Sequence, residues 1–359
     1  MKSVLEPFVF RTGLTCRNRI ALAPMTNQQS HADGTLAGDE RDWLFSRADG
    51  GFGLVATCAA HVAKDGQGWP GELGIFDDLQ LPGLTTLASG LRARGAASMV
   101  QIFHGGLRAD RKVTGTLPWS AIASDGDARA ATEEDLARVV KEFGDAAVRA
   151  QTAGFDGVEI HGAHGYLLTQ FLSATNQRSD AWGGSLENRA RLVRHVTREV
   201  RARTRAGGST FTVGVRLSPE DFGNAKGMDL DESVQTARWL VDDGVDFVHV
   251  SLWEAQLLTK KRPTEHAVGI FRAALPSDVA VFVAVSVWTR AEAEALLERG
   301  ADAIALGRSA IVNPDWPLRV GDGTWEPKRP PVTIAELRER SLGPAFAAYM
   351  RRWKGFVSD

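Results

Sequence analysis

Eight short apolar runs stand along the chain, the first seven each followed by a stretch with helical periodicity, and this alternation limits the fold more than any other feature. The apolar runs fall at residues 19–25, 53–57, 97–103, 155–161, 211–217, 246–251, 279–285 and 303–306. The helical stretches between and beyond them fall at 39–48, 79–94, 132–152, 185–205, 230–242, 268–274 and 290–298. Strands this apolar need cover on both faces, which helices on alternate connections provide. An open doubly wound sheet would meet that need, but the first run ends on Pro24-Met25-Thr26 and not on a glycine-rich dinucleotide fingerprint. The expected fold is therefore α/β, a single (β/α)8 TIM barrel in one domain over residues 1–359. From about residue 321 a proline-bearing arm (Pro327, Pro330, Pro331) leads to terminal helices near 334–339 and 344–353. Thr132 is placed to cap the helix it opens, with Asp135 where a capping box prefers glutamate or glutamine.

Composition removes several classes of function. The formal charge is −2 and the only basic run, Lys260-Lys261-Arg262, is short, which fits a solvated loop and gives no nucleic-acid patch. Cys16 and Cys58 are the only cysteines, too few for a disulfide framework, a zinc site or an iron–sulfur cluster. A reducing compartment, the cytoplasm, is expected, with no leader in residues 1–10 and no apolar segment near the roughly 20 residues a membrane span needs.

In a barrel the chemistry gathers at the carboxyl ends of the strands. There the chain places His161, His164 and Tyr166 in a glycine-flanked turn, Gln101 and His104, Arg216, and Gly307-Arg308. Two imidazoles and a phenol can hold an oxygen and deliver a proton beside it. The plainer reading makes the histidines caps of backbone carbonyls, and makes Arg216 the salt-bridge partner of an inward Glu159. Cys58 follows the second strand and is read either as a small buried hydrophobe or as a side chain reaching the site. No third ligand joins His161 and His164 to make a metal site.

These residues stand in an ordered set of motifs. Asn18-Arg19-Ile20 with Ala23-Pro24-Met25-Thr26, Gln101-Ile102-Phe103-His104-Gly105-Gly106, and the run from Ala153 to Leu167 carry a resemblance to the old yellow enzyme family of FMN-dependent ene-reductases. Gln170 to Ser173, Gly183-Gly184-Ser185, Glu187-Asn188-Arg189, Ala303 to Arg308 and Asn313-Pro314-Asp315 extend it, so that it covers roughly residues 5 to 318. The resemblance implies a TIM barrel holding FMN. It implies that Pro24, Met25 and Thr26 line the flavin and that Gln101 bonds its pyrimidine edge. Arg216 would face N1 and O2, Cys58 would lie within reach, and Val285, Ser286, Gly307 and Arg308 would bind the phosphate. His161 and His164 would hold the carbonyl oxygen of a small α,β-unsaturated substrate, with Trp253 beside it. NADH or NADPH would supply hydride and Tyr166 the proton.

The chain departs from the family pattern in places. Val285-Ser286 stands where a glycine pair is usual, Arg108 is displaced by one place after His104, and Trp253 and Trp288 are expected at the cofactor-facing rim. The alternatives are an amine dehydrogenase or demethylase, whose relatives carry an iron–sulfur portion, and a flavin-carrying barrel with a binding or redox-sensing role. Phe346, Tyr349 and Trp353 could cover this barrel or pack on a second copy, and a homo-oligomer is slightly favoured.

Overall fold

The structure, a computed structural model, describes residues 2–204 and 210–359. Eight parallel strands close into a barrel: β1 Ile20–Leu22, β2 Leu54–His61, β3 Ala97–Phe103, β4 Gly157–Gly162, β5 Thr212–Leu217, β6 Phe247–Glu254, β7 Ala280–Ser286 and β8 Ala303–Leu306. Each pairs with its sequence neighbours, and β8 closes on β1. The outer helices are α1 Gly38–Asp49, α2 Leu81–Ala93, α3 Glu133–Ala153, α4 Leu186–Thr204, α5 Leu230–Asp242, α6 Ala267–Ala274, α7 Arg290–Glu298 and the short α8 Arg308–Val312. The α4 end expected at Arg205, like Met1, lies outside the described residues.

Strand alternation sorts the core into two layers. Val55, Val100, Val158, Ile160, Val213, Val215, Val248 and Val250 face the helices, while Ala21, Ala56, Ala97, Ala280 and Ala303 face the barrel axis. Those inward side chains are small because aromatic rings fill the lower interior. Phe8 and Phe10, from a hairpin pairing Phe8–Val9 with Thr15–Cys16, pack there on Phe247 and Phe282. Gly214 makes room for this plug, since a Cβ there would meet the Phe247 ring at 2.1 Å. Gly214→Ala is expected to cost about 1–3 kcal/mol by overpacking, read as a lower urea midpoint. An unchanged midpoint would contradict this account of the interior.

Two strands carry an extra residue near the catalytic end. The β2–β3 register slips between Ala56 and Ala59, and the β6–β7 register slips between Ser251 and Glu254. A bulge of this kind re-aims every side chain beyond it. At α3 the Asp135 carboxylate completes the capping box that was expected to prefer a longer side chain: Thr132 Oγ1 accepts from the Asp135 N–H at 3.2 Å, and the Thr132 N–H donates to Asp135 Oδ2 at 2.8 Å.

The connection between β3 and α3 is not wholly irregular, for it holds a helical turn at Arg111–Thr114 and a pairing of Trp119–Ser120 with Arg129–Ala130. The C-terminal arm wraps its own barrel. The rings of Phe346 and Trp43 meet edge to face at 4.9 Å, and Arg47 beneath them donates to the carbonyl of Arg340 at 2.7 Å. The expected last helix divides into Pro344–Tyr349 and a 3₁₀ turn, Met350–Arg352. Among the described residues no helix is long and apolar enough to cross a membrane.

Candidate active site

Above the aromatic plug the inward positions become polar. Gln101, Glu159, Arg216, His249 and Ser251 all point to the axis by strand alternation, and all are buried. A buried carboxylate needs partners. Glu159 Oε1 accepts from Gln101 Nε2, and Oε2 meets His249 Nδ1, both at 2.6 Å. Burial disfavours the Glu159 charge, but His249, Arg216 and Gln101 together outweigh it and hold the carboxyl at about 2. Arg216 makes no hydrogen bond to Glu159. It feels that charge, but its Nη2 donates to Ser251 Oγ at 3.1 Å. The buried Arg216 Nε and His249 Nε2 have no partner among the described residues. Two unmatched polar atoms in one buried layer fit a bound group that carries its own hydrogen-bonding edge.

The β4 turn projects the three ring side chains over this layer. His164 has φ +62° and Gly165 φ +77°, a left-handed pair that folds the chain back at once. A Cβ at Gly165 would lie 2.2 Å from the carbonyl oxygen of Asn224. His161 Nδ1 accepts from the Ala163 N–H at 3.2 Å, so the proton of the neutral ring sits on Nε2, free to donate. His164 Nε2 lies 2.7 Å from Ser251 Oγ. Since Ser251 already accepts from Arg216, its hydroxyl can donate to His164, which places the His164 proton on Nδ1. The His161 ring lies 5.1 Å from both His164 and Tyr166, and Phe103 meets Tyr166 edge to face at 4.6 Å. Burial, reinforced by Arg216, lowers His161 to about 3 and depresses His164 as well. Burial raises the Tyr166 phenol, against the pull of Arg108.

These shifts set an acid limit. His61, His104, His161, His164 and His249 all have folded values depressed below their unfolded value near 6.5, burial being the main cause. Below pH 6.5 the unfolded chain binds more protons, so the stability these groups contribute is complete above 6.5. It is lost as pH falls toward the folded values, about 3 for His61 and His161. Each group can contribute up to about 1.4 kcal/mol per pH unit in that window. The urea midpoint should hold steady from pH 8 to 7 and fall below 6.5. A midpoint level down to pH 5 would contradict the neutral, buried state of these rings.

The other expected site residues lie around β8, β1, β7 and β6. Pro24 is buried, Met25 and Thr26 are half-buried, and a Cβ at Gly307 would stand 3.6 Å from Met25 Sδ. Ser286 is half-buried and pairs in register with Glu254, whereas the Val285 side chain packs toward the helices and leaves only backbone to offer. Arg308 lies over the Trp253 ring at 4.7 Å, with Nη2 3.9 Å from Glu254.

Cys58 takes the buried one of its two readings, and two expectations change. Cys58 belongs to the helix-facing layer because of the β2 bulge, beside buried Glu40, and its thiol is pushed well up by burial. Trp253 is turned by the β6 bulge onto Phe222, at 5.0 Å, and Trp353, at 6.3 Å. Trp288 faces the outer layer, where its carbonyl accepts from Trp316 Nε1 at 2.7 Å. His249 and Ser251 went unrecognised as site residues; they alternate with Phe247 on one strand, and the register of β6 against its neighbours puts all three on the axis side. Trp69, its buried indole N–H without a partner among the described residues and its ring centre 6.4 Å from that of Tyr166, carried no signal in sequence.

Comparison with known proteins agrees with this fold. A model of the NADH:flavin oxidoreductase / NADH oxidase family matches residues 3–326. A probable NADH-dependent flavin oxidoreductase of Bacillus subtilis is 38% identical over 90% of this chain and 88% of its own length. An NADH:fumarate oxidoreductase of Klebsiella pneumoniae is 35% identical over 89% of this chain, which spans only 36% of that protein. The old yellow enzyme homologue of Zymomonas mobilis superposes with a TM-score of 0.82 at 28% identity, over 97% of this chain and 99% of that one. With the closed barrel and the polar mouth, these matches place the chain in the NADH:flavin oxidoreductase / NADH oxidase family, that of the old yellow enzymes, as an NAD(P)H-dependent flavin oxidoreductase.

Proposed function

We propose that the protein uses FMN and NADH or NADPH to reduce the C=C bond of small α,β-unsaturated carbonyl compounds. The observation that carries this reading is the β4 turn, where two neutral imidazoles, each able to offer one N–H, stand beside a protonated phenol. FMN when bound supplies hydride transfer between nicotinamide and carbon. Arg216, with its unpartnered Nε, and Gln101 would hold its polar edge, Pro24, Met25 and Thr26 its ring, and Ser286, Gly307 and Arg308 its phosphate. Arg216 is the fixed positive charge in this layer, and a guanidinium there favours whatever negative charge accumulates during turnover.

His161 Nε2–H and His164 Nδ1–H would both donate to the substrate carbonyl oxygen. Their neutrality suits the task, since a donor without net charge binds the carbonyl weakly and the developing enolate oxygen strongly. Tyr166 keeps its proton at neutral pH and would pass it from Oη to the α-carbon, which in an enolate is basic enough to take it.

Anaerobic turnover of 2-cyclohexenone tests the reading. The product should gain two hydrogens, and a panel of N-methylated amines should give no turnover. Demethylation of an amine without enone reduction would replace this reading, and protein that fails to bind FMN would remove the cofactor from it. Tyr166→Phe should slow the oxidative half-reaction with 2-cyclohexenone about a hundredfold or more. Reduction by nicotinamide should change little; equal slowing of both half-reactions would show that Tyr166 is not the proton donor.

A further inference from the structure

The turn after β3 supplies a side chain to the mouth that the roles above leave unused. Gly106 takes φ +59° where a Cβ would meet Gln170 Oε1 at 2.3 Å, so only glycine fits this bend. The bend leaves Leu107 on the surface and folds Arg108 inward. The Arg108 guanidinium carbon lies 4.1 Å from the centre of the Tyr166 ring, and its Nη1 donates to the carbonyl of His164 at 2.8 Å. Arg108, one place beyond the position the family pattern gives it, thus lies against the phenol.

The other ionisable groups facing that phenol are Glu72 from the loop after β2, His161 and His164 from the β4 turn, and Tyr349 from the C-terminal arm. Burial raises Glu72 and lowers both histidines, which leaves the two imidazoles neutral at pH 7. A guanidinium is charged throughout the working range. Among these groups Arg108 brings the fixed positive charge to the phenol.

We propose that Arg108 is a positioning residue that makes Tyr166 a stronger acid, its guanidinium anchored on the His164 carbonyl and stacked against the phenol ring. The inference rests on the proton-donor reading given above. When the Tyr166 O–H bond breaks and the enolate electron pair forms the new C–H bond, a phenolate remains, and the cation stabilises it until solvent returns a proton. The same hydrogen bond ties the guanidinium to the backbone of His164, in the turn that also carries Tyr166.

The chain has only two tyrosines, Tyr166 and Tyr349, which makes the phenol directly readable. Uniform incorporation of a fluorotyrosine into the FMN-loaded enzyme brings phenol ionisation into an accessible pH range for ¹⁹F NMR, and Tyr349→Phe assigns the two signals. Arg108→Met should raise the Tyr166 midpoint by about one unit, a tenfold weaker acid. It should lower the ratio of the oxidative to the reductive single-turnover rate about tenfold. Arg108→Lys, which keeps the charge, should restore most of the midpoint and of the ratio. An unmoved midpoint in Arg108→Met overturns the inference, whatever happens to the rates, as does a lysine variant no better than methionine. Equal rates in Tyr166→Phe and the parent enzyme would instead remove the proton-donor reading, and with it the reason for the tuning.

Discussion

Alanine at both His161 and His164 should cut the single-turnover oxidation of the reduced enzyme by 2-cyclohexenone on the order of a thousandfold. Loss of one donor to a developing oxyanion typically costs about 10²–10³ in rate, and two donors on one oxygen act as a unit, so the losses will not simply multiply. His161 is buried on β4 and held by the Ala163 N–H, while His164 is held through Ser251, so each ring is oriented before any substrate arrives. Stopped-flow absorbance of the flavin reads the rate directly, with flavin content measured on the same preparation. A loss under tenfold with full flavin content would show that other groups hold the oxygen.

Arg216→Met should destabilise the protein by about 1–3 kcal/mol, because buried Glu159 loses the cation that favours its charge and Ser251 Oγ loses its charged donor. Glu159 would keep Gln101 and His249 but lose the guanidinium that helps hold its carboxyl at about 2. Adding Glu159→Gln to Arg216→Met should recover a large part of that loss, because the uncompensated carboxylate is then gone. Urea denaturation of the four proteins in the cycle measures it. Strictly additive effects would contradict the coupling of these two residues.

Much of this architecture is legible in the sequence because parallel-barrel strands are apolar and their helices amphipathic. Ala97–Phe103, Leu230–Asp242, Arg290–Glu298 and Ala303–Leu306 have the bounds that periodicity assigns them. The polar ring of Gln101, Glu159, Arg216 and His249 was only half visible. Arg216 is conspicuous in an apolar strand, whereas His249 and Ser251 need the register of β6 against its neighbours before their facing is known. Cys58 and Trp253 show where strand counting stops working. With strict alternation Ala56 and Cys58 would share the axis side, and so would Ser251 and Trp253. One extra residue in each strand reverses the parity, and no turn residue or proline marks either bulge. The arm could not be assigned to this barrel from composition, because Phe346 is equally apolar whichever surface it covers. Its partner Trp43 is identified only by contact.

The histidine pair as an oxyanion holder above a bound flavin is the centre of this account, and titration of the oxidised enzyme with para-substituted phenols tests it most directly. A phenolate oxygen seated between His161 and His164 would stack its ring on the flavin and give a long-wavelength charge-transfer band. The band should grow to saturation in the parent protein and all but vanish in the double alanine variant while FMN remains bound. A band of undiminished intensity and affinity in that variant would contradict the account.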